Sequence, residues 1–259
     1  MKTLKLGTRG SLLATTQSSH VAAAITEATG VQVELVIIST RGDRIQDRPL
    51  QAIGGKGLFT KELEESLLDG SIDFAVHSLK DMPTDDPEGL TIHAIPKRVD
   101  PRDVLVGRSL DELGPGAVVG TGSIRRRLQL MALRPDLTIR GIRGNVDTRI
   151  RKMRNGDYDA IMLAAAGLER LGRSDEIAQA FEVEQMVPAV GQGALAVQCR
   201  RVDPAVHQIL EAIHDIETAT CVAAERSFLV TVSGGCSAPA ACHAILDGEL
   251  VRAHGFWAA

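Results

Sequence analysis

Short runs of β-branched and aliphatic residues alternate with helical patterns along most of this 259-residue chain. Leu4–Thr8 and Val31–Ser39 predict strands, and between them Leu12–Thr29 has helical apolar spacing, with Ser11 as its cap and Gly30 at its end. The alternation continues with helix Thr60–Asp69, strand Ile72–His77, strand Ala117–Gly120, helix Ser123–Leu133, strand Leu137–Arg140, helix Asn145–Asn155, strand Tyr158–Leu163, helix Ala164–Leu171, strand Ala194–Cys199, helices Pro204–Ile213 and Glu217–Val230, and two short strands within Ala238–His254. Strands that alternate with helices predict a parallel or mixed α/β sheet.

The composition excludes several classes of protein. A hydrophobic content of 44% is enough to build packed cores and excludes a disordered chain. The longest apolar run, Ile161–Ala166, is too short to span a membrane, and Arg9 and Gly10 interrupt any signal-peptide core. The four cysteines contain no CxxC pair, so we expect reduced thiols in a cytoplasmic protein, with no zinc site, no disulfide framework and no membrane partner.

The charge is distributed unevenly along the chain. The whole sequence has a formal net charge of −4, but the stretch from Gly120 to Arg154 contains ten basic and two acidic residues. This concentration of positive charge predicts an anionic ligand. Nucleic acid is disfavoured as that ligand because the chain as a whole is acidic and only 3% of its residues are aromatic.

Basic residues stand beside the predicted starts of three helices. Arg9 precedes the cap Ser11, Ser123 precedes Arg125 and Arg126, and Arg143 precedes the cap Asn145. Free N–H groups at a helix start and neighbouring guanidinium groups both suit carboxylates or phosphates. We therefore expect an extended anion site at the carboxyl ends of the strands. The alternative is a set of surface arginines, each solvated singly.

Two further segments carry chemistry. Asp81 follows a buried strand in the segment His77–Pro83, where it is a candidate acid or base, although it could equally cap the turn before Pro83. His77 fits a structural role. Cys236 lies on a turn after two glycines, which suits an exposed thiol that acts as a nucleophile or a covalent anchor.

Two glycine-rich segments do not match nucleotide-binding motifs. Gly54–Gly57 lacks the Ser or Thr that follows the lysine of a P-loop, and it fits an anion-binding turn or a flexible loop. Gly191–Ala196 has the GxGxxA pattern, but the residues that follow predict a strand where a dinucleotide site needs a helix.

Taken together, several motifs resemble one family of enzymes. They are Thr8-Arg9-x-Ser11, Thr40-Arg41-Gly42-Asp43, the segment Gly54–Glu64, His77–Pro83, Arg143-Gly144-Asn145, Ala189–Ala194 and Gly234-Gly235-Cys236. In this order they resemble the porphobilinogen deaminase (hydroxymethylbilane synthase) family, over nearly the whole chain.

The resemblance implies an α/β fold of three domains. Two domains like those of periplasmic binding proteins would face each other across a cleft, residues 1–97 with 190–215 forming the first and 98–189 the second. Residues 216–259 would form a small α/β third domain that carries Cys236.

The resemblance also implies a transferase of tetrapyrrole biosynthesis. A dipyrromethane cofactor would be attached to Cys236 by a thioether, and four porphobilinogen units would be added to it with loss of ammonia. Hydrolysis would then release hydroxymethylbilane. Each porphobilinogen brings two carboxylates, which would explain the concentration of arginines.

The family's functional residues match positions of this chain one by one. Asp81 matches the catalytic aspartate, which would stabilise positive charge on the substrate and move protons. The positions matching cofactor contacts, besides Cys236, are Asp43, Ser78, Lys80, Thr121, Ser123, Arg125 and Arg126. The positions matching substrate contacts are Arg9, Ser11, Gln17, Lys56, Arg143, Arg149 and Arg170. Arg127 and Arg140 are additional to the pattern and receive no role.

The chain departs from the family pattern at three places. Gly122 replaces a common serine, and Ala52 replaces a common lysine, so one contact could be missing at each. The chain also ends at Ala259, earlier than a typical member. On that ground we expect the third domain to lack its last strand and helix, which would leave apolar surface uncovered around Cys221–Cys242 and cause either lower stability or association of chains. Otherwise we expect a monomer.

Three other functions remain as alternatives from the residues alone. A non-catalytic module that binds carboxylates or phosphates would share the arginines but leave Cys236 and Asp81 unused. A nucleic-acid-binding protein would use the clusters Arg125–Arg127 and Arg149–Arg154. A dinucleotide-dependent oxidoreductase is disfavoured by the strand predicted after Gly193.

Overall fold

The computed structural model describes residues 3–40, 42, 60–233 and 239–258. In chain order, the strands are β1 (Leu4–Thr8), β2 (Val33–Ile37), β3 (Phe74–Ser78), β4 (Leu90–Ala94), β5 (Asp103–Val106), β6 (Val118–Gly120), β7 (Thr138–Arg140), β8 (Ala160–Ala164), β9 (Ile177–Ala180), β10 (Leu195–Arg200), β11 (Ala240–Asp247) and β12 (Leu250–Trp257). The α-helices are α1 (Leu12–Thr29), α2 (Lys61–Leu68), α3 (Ile124–Leu133), α4 (Val146–Arg154), α5 (Ala165–Arg170), α6 (Pro204–Leu210) and α7 (Ile216–Ser233). No helix among the described residues has both the length and the hydropathy of a membrane-spanning segment.

The chain divides into two units, each of which is discontinuous in sequence. The first comprises Met1–Arg98 and Ala194–Ala223, and the second comprises Val99–Gly193 and Ala224–Ala259. The first boundary falls between two prolines, Pro96 and Pro101, in a charged stretch of the sequence. The predicted division into three domains, with residues 216–259 as the third, stays a prediction.

The two units contain five-stranded sheets of the same topology. The first sheet has the order β2-β1-β3-β10-β4, and the second has the order β7-β6-β8-β5-β9. In each sheet the first three strands are parallel, and the fourth is antiparallel to both of its neighbours. The antiparallel strand is β10 in the first sheet and β5 in the second. Each is the first strand after the chain crosses from the other unit, at Ala194 and at Val99. The predicted mixed α/β fold is therefore confirmed.

Helix α1 illustrates how the sequence sets these elements. The Ser11 hydroxyl accepts a hydrogen bond from the backbone N–H of Ala14 at 3.3 Å, which satisfies one donor of the first turn. The helix ends at Gly30, whose positive φ of 73° most residues avoid. Between these ends, Ile25 is fully buried with Leu6 and Phe74 in the core of the first unit.

Strands β11 and β12 form a hairpin in the second unit. The strands pair in register from Ala240 with Trp257 to Asp247 with Leu250. The side chains of Cys221 and Cys242 are buried, whereas the exposed large apolar side chains of the hairpin are Ile245, Leu250, Val251 and Trp257.

A buried carboxylate anchors this hairpin. Glu225 of α7 is fully buried and accepts hydrogen bonds from the backbone N–H groups of Gly191, at 2.7 Å, and Ala244, at 2.8 Å. His243 Nδ1 lies 3.5 Å from the same carboxylate. One side chain thus satisfies backbone donors from β11 and from the turn that precedes β10, and both donors depend on it.

We predict that Glu225→Ala lowers the free energy of unfolding by about 2–4 kcal/mol, because it leaves buried backbone N–H groups without an acceptor. Chemical denaturation followed by circular dichroism measures this change. Glu217→Gln, an exposed position on the same helix, is the matched control and should change the stability by less than about 0.5 kcal/mol. Equal stability of the Glu225→Ala variant and the parent would contradict the anchoring role.

Candidate functional site

In the first unit, predicted site residues gather where parallel strands end. β1 and β3 are parallel neighbours, so the residues after Thr8 and after Ser78 leave the sheet at the same edge. Arg9 and Ser11 follow β1, with Ser11 as the cap of α1. The Ser78 hydroxyl donates to Gln17 Oε1 at 3.2 Å, which joins the end of β3 to α1.

His77 lies at the buried end of β3 and has a structural role, as the sequence indicated. Its Nε2–H donates to Gln198 Oε1 at 3.1 Å. Burial lowers the pKa of His77 to about 4, although the hydrogen bond with Gln198 opposes the shift. The ring is therefore neutral near pH 7.

Lys80 and Asp81 are presented by a short 3-10 turn directly after β3. The flanking residues Leu79 and Met82 are buried, and the Leu79 backbone N–H donates to the carbonyl of Ala194 at 3.1 Å. Lys80 and Asp81 are exposed between these two anchors. The turn thus holds a carboxylate and an ammonium group at the strand end, where a ligand can reach both.

The second unit has an equivalent edge after β6. Ser123 caps α3, and its hydroxyl accepts a hydrogen bond from the Arg126 backbone N–H at 3.4 Å. The Thr121 hydroxyl in turn accepts from the Ser123 backbone N–H at 3.2 Å. A Cβ added to Gly122 would lie 3.1 Å from the carbonyl oxygen of Ile142, so the serine that is common in the family would fit tightly in this turn.

The side chains of Arg125 and Arg126 converge on one buried carboxylate, that of Asp103. Asp103 is fully buried at the start of β5, and both arginines are 6% exposed. Arg125 Nη1 lies 2.5 Å from Asp103 Oδ2, and Arg126 Nε donates to Oδ1 at 2.9 Å. Gln192 Nε2 donates to the same Oδ1 at 2.9 Å, and the carbonyl oxygens of Val187 and Met162 accept from the two arginines.

This cluster carries one positive charge in excess. Burial alone would raise the pKa of Asp103, but Arg126 and Arg125 hold it well below its ordinary value, so the carboxylate is ionised. Burial lowers the pKa of Arg126, yet an arginine remains protonated in proteins. Two guanidinium groups against one carboxylate leave a net charge of +1 next to the strand ends.

Further cations surround the same edge of the second sheet. Arg143 follows β7, and its Nη1 is buried without a hydrogen-bond partner among the described residues. Arg149 Nε donates to the carbonyl of Gly144 at 2.7 Å. Arg170, at the end of α5, donates to the carbonyl of Gly193 at 2.7 Å, and burial lowers its pKa to about 10, so it is charged near pH 7.

The predicted site residues fall into three groups. The first unit contains Arg9, Ser11, Gln17, Ser78, Lys80 and Asp81, and the second contains Thr121, Ser123, Arg125, Arg126, Arg143, Arg149 and Arg170. Asp43, Lys56 and Cys236 lie outside the described residues, as does Ala52.

Sequence reasoning missed Asp103, Gln192 and Glu225. Each is a polar residue that the structure buries. The signal for Asp103 is an acidic residue directly before the apolar run Val104–Val106, since a charge at a strand start that becomes buried needs a partner.

Solved structures with a similar fold include a periplasmic substrate-binding protein and a methionine-binding protein. One, the substrate-binding protein of an ABC transporter from Coxiella burnetii, has a TM-score of 0.50 at 16% identity and covers 84% of this chain and 94% of its own. The methionine-binding protein MetQ also has a TM-score of 0.50, at 14% identity, with 90% and 96% covered. The fold is therefore that of the periplasmic binding proteins.

Residues 4–208 match the family model described as "Porphobilinogen deaminase, dipyromethane cofactor binding domain". A porphobilinogen deaminase from Brevibacillus brevis is 54% identical over 244 residues, which cover 93% of this chain and 79% of that protein. The chain belongs to the porphobilinogen deaminase family, whose members are transferases with a dipyrromethane cofactor. The resemblance inferred from the motifs is confirmed.

The described residues fit a cofactor rich in carboxylates. Arg143 Nη1 is a buried donor without an acceptor among them. In the cluster of Asp103, Arg125 and Arg126, one of the two positive charges is not balanced by the carboxylate. Both features would be costly without an anion nearby.

We predict that Asp103→Asn destabilises the protein by about 3–5 kcal/mol, because two buried guanidinium groups lose the one carboxylate that pairs with them among the described residues. The depressed pKa of Asp103 means that its contribution is full above the unfolded-state pKa of about 3.9 and is lost as the pH falls toward the lower folded-state pKa. The difference between parent and variant should therefore shrink on acidification.

Urea unfolding from pH 7 down to pH 3 measures this difference. The matched control is Asp136→Asn, which removes an exposed carboxylate paired with Arg134 and should cost no more than about 1 kcal/mol. A variant at position 103 that is as stable as the control would contradict the assigned role.

Proposed function

We propose that this chain condenses four porphobilinogen molecules in turn onto a dipyrromethane bound to Cys236, with release of ammonia, and frees hydroxymethylbilane by hydrolysis. Family membership supports the reaction. The observation that carries the proposal is the exposed carboxylate of Asp81, held after β3 by buried neighbours on both sides. A module that only binds carboxylates has no use for an anion at this position.

Asp81 is the proposed catalytic residue. Loss of ammonia from porphobilinogen leaves positive charge that is delocalised onto the pyrrole nitrogen, and a carboxylate stabilises that charge and can move the nitrogen's proton. Among the described residues, no ion pair or hydrogen bond engages the Asp81 side chain. It is therefore available to the substrate.

The cations of the second unit are the groups that we propose to bind the carboxylates of the substrate and the cofactor. Arg143, Arg149 and Arg170 would hold acetate and propionate groups of the substrate. Thr121, Ser123, Arg125 and Arg126 would hold those of the cofactor, with Asp43, Ser78 and Lys80 as further contacts. When bound, the dipyrromethane supplies a terminal pyrrole carbon as the nucleophile.

Five of the roughly ten N–H donors of Arg125 and Arg126 are already used by Asp103 and by backbone carbonyls. Part of their contribution to binding is thus the long-range effect of the excess charge. Direct hydrogen bonds are assigned to residues with donors to spare, above all Arg143.

Arg9, Ser11, Gln17 and Lys56 complete the proposed substrate contacts. Porphobilinogen is the expected small-molecule partner, without nucleic acid or membrane. We further propose a cytoplasmic location, because the four cysteines show no disulfide spacing, and a monomeric state.

The intact mass of the purified protein tests the function. We expect an excess of two linked pyrrole units that grows in single-ring steps when porphobilinogen is added, and no excess in a Cys236→Ala variant. A parent protein that folds, carries the adduct and yet never gains a ring would contradict the catalytic proposal and favour the binding module.

We predict that Asp81→Asn lowers kcat by roughly 10²- to 10⁴-fold, because the amide cannot accept a proton or balance positive charge. The covalent adduct and the unfolding temperature should remain those of the parent, because the side chain is exposed. Asp86→Asn, another exposed carboxylate on the same connection, is the control. Turnover by Asp81→Asn at the rate of this control would refute the assignment.

We predict that Arg143→Gln lowers kcat/KM by about 10- to 150-fold, which corresponds to the loss of one charge-assisted hydrogen bond of about 1.5–3 kcal/mol. Arg127→Gln removes an exposed guanidinium from α3 and should leave kcat/KM unchanged within a factor of about two, as for a surface charge. Equal effects of the two substitutions would show that only overall charge matters.

A further inference from the structure

Three potential metal ligands meet in the first unit, away from the candidate site. His93, Cys199 and His207 each offer one donor atom, and these atoms lie within 4.8 Å of one another. The cysteine spacing predicted no zinc site. The group arises only because β4 pairs with β10 and α6 follows β10, which brings together residues far apart in the sequence.

The sheet pairing aims His93 at the other two residues. Val197 pairs with Ala94, whereas the next residue, Gln198, pairs with Ile92, so His93 is the extra residue of a bulge in β4. Bulges re-aim side chains and are common next to functional sites. Cys199 on β10 is fully buried, and the rings of His93 and His207 stack with centroids 4.0 Å apart.

The hydrogen bonds leave ring nitrogens suitable for metal binding. His207 Nε2 lies 2.9 Å from the carbonyl oxygen of Arg200, which can only accept, so Nε2 carries the proton and Nδ1 keeps its lone pair. A histidine whose second nitrogen donates to a backbone carbonyl is the usual arrangement of a metal ligand. His93 Nε2 is buried and lies 3.2 Å from Glu211 Oε1, so this carboxylate can orient the second ring.

A carboxylate lies beside the three potential ligands. The Glu211 carboxylate beside His93 is largely exposed and adds negative charge at the rim.

We propose that His93, Cys199 and His207 bind one thiophilic divalent cation of the zinc type, with two imidazole nitrogens and one thiolate as ligands. On binding, a metal–sulfur bond forms, and the thiol proton passes to solvent. In a tetrahedral zinc site the donor atoms lie about 3.3–3.7 Å apart, given bonds of about 2.0–2.3 Å. The two rings are stacked with planes 10° apart, so on binding they must rotate until their in-plane lone pairs converge on the ion. Donor atoms that lie within 4.8 Å of one another must approach by up to about 1.5 Å.

The site is separate from the proposed chemistry. On β3, Phe74 pairs with Cys199, whereas Ser78 at the functional edge pairs with Leu195. These pairs are four residues apart along the strand, or roughly 13 Å. The ion would therefore link β4, β10 and α6 of the first unit, and the inference does not depend on the proposed reaction.

Cobalt(II) titration of the reduced, chelator-treated holoenzyme tests the proposal. We expect one equivalent to bind with a thiolate-to-cobalt charge-transfer band in the near ultraviolet and the intense visible bands of four-coordinate cobalt, and we expect zinc to displace it. Stoichiometric zinc should also raise the unfolding temperature, because a ligand that binds only the folded state stabilises it.

Variants identify the ligands. Cys199→Ser should abolish the charge-transfer band, and His207→Gln, which keeps an N–H donor for the Arg200 carbonyl, should weaken cobalt binding at least tenfold. Cys221→Ser, at another buried cysteine, should behave as the parent.

Two results would overturn the proposal. One is a parent protein without the charge-transfer band at excess cobalt, which would leave the three residues as a packed, metal-free cluster. The other is a band that survives in His207→Gln at unchanged affinity, which would place the ion elsewhere. Far-UV circular dichroism confirms folding, and His207→Gln decides the question if Cys199→Ser fails to fold.

Discussion

The buried carboxylate of Asp103 is the charge on which the second unit depends. It lies at the start of β5 and binds the first turn of α3 through Arg125 and Arg126, and it binds the turn before β10 through Gln192. Burying these ions is costly, and only their mutual contacts offset the cost. Because the cluster holds two cations against one anion, the interaction that stabilises this unit also prepares it for an anionic ligand.

The turn Gly191–Gly193 is held from two sides by buried carboxylates. Asp103 accepts from Gln192, and Glu225 accepts from the Gly191 backbone N–H. Gly191 and Gly193 have φ values of 69° and 86°, which suit glycine alone at low cost. The GxG pattern therefore reflects a structural turn followed by strand β10. This agrees with the strand that the sequence predicts after Gly193, where a dinucleotide site would need a helix. Arg170, which we propose to bind substrate carboxylates, donates to the carbonyl of Gly193. It is therefore held by the same turn.

Local signals in the sequence predict a large part of the fold. The bounds of β1 and α1 were predicted residue for residue, because a serine cap and a terminal glycine mark the helix. Strands β4, β5 and β9 were missed. They have four or five residues, and their apolar patterns are too short to distinguish from connections. Their strand conformation comes from pairing with distant segments.

The site was predictable to a similar extent. Residues at strand ends and helix caps were identified from motifs and charge, and the structure places Asp81 and Arg143 at such ends. Asp103 was missed because its partners come 22 and 23 residues later in the chain, so nothing local marks it as buried. The proposed metal ligands around Cys199 were missed for the same reason, since His93 comes near Cys199 through a bulge in β4.

The two sheets share one order and direction of strands. Ser11 after β1 and Ser123 after β6 occupy corresponding positions, and each caps its helix by accepting from the backbone N–H three residues on. The strand corresponding to β3 is β8, and it is followed by Ala165 and Ala166, where β3 is followed by the turn that carries Asp81. The two sheets thus share capped helix starts, but among the described residues only β3 leads into a turn that carries an acid. The residue that we propose as catalytic, Asp81, is therefore contributed by one of two corresponding strands.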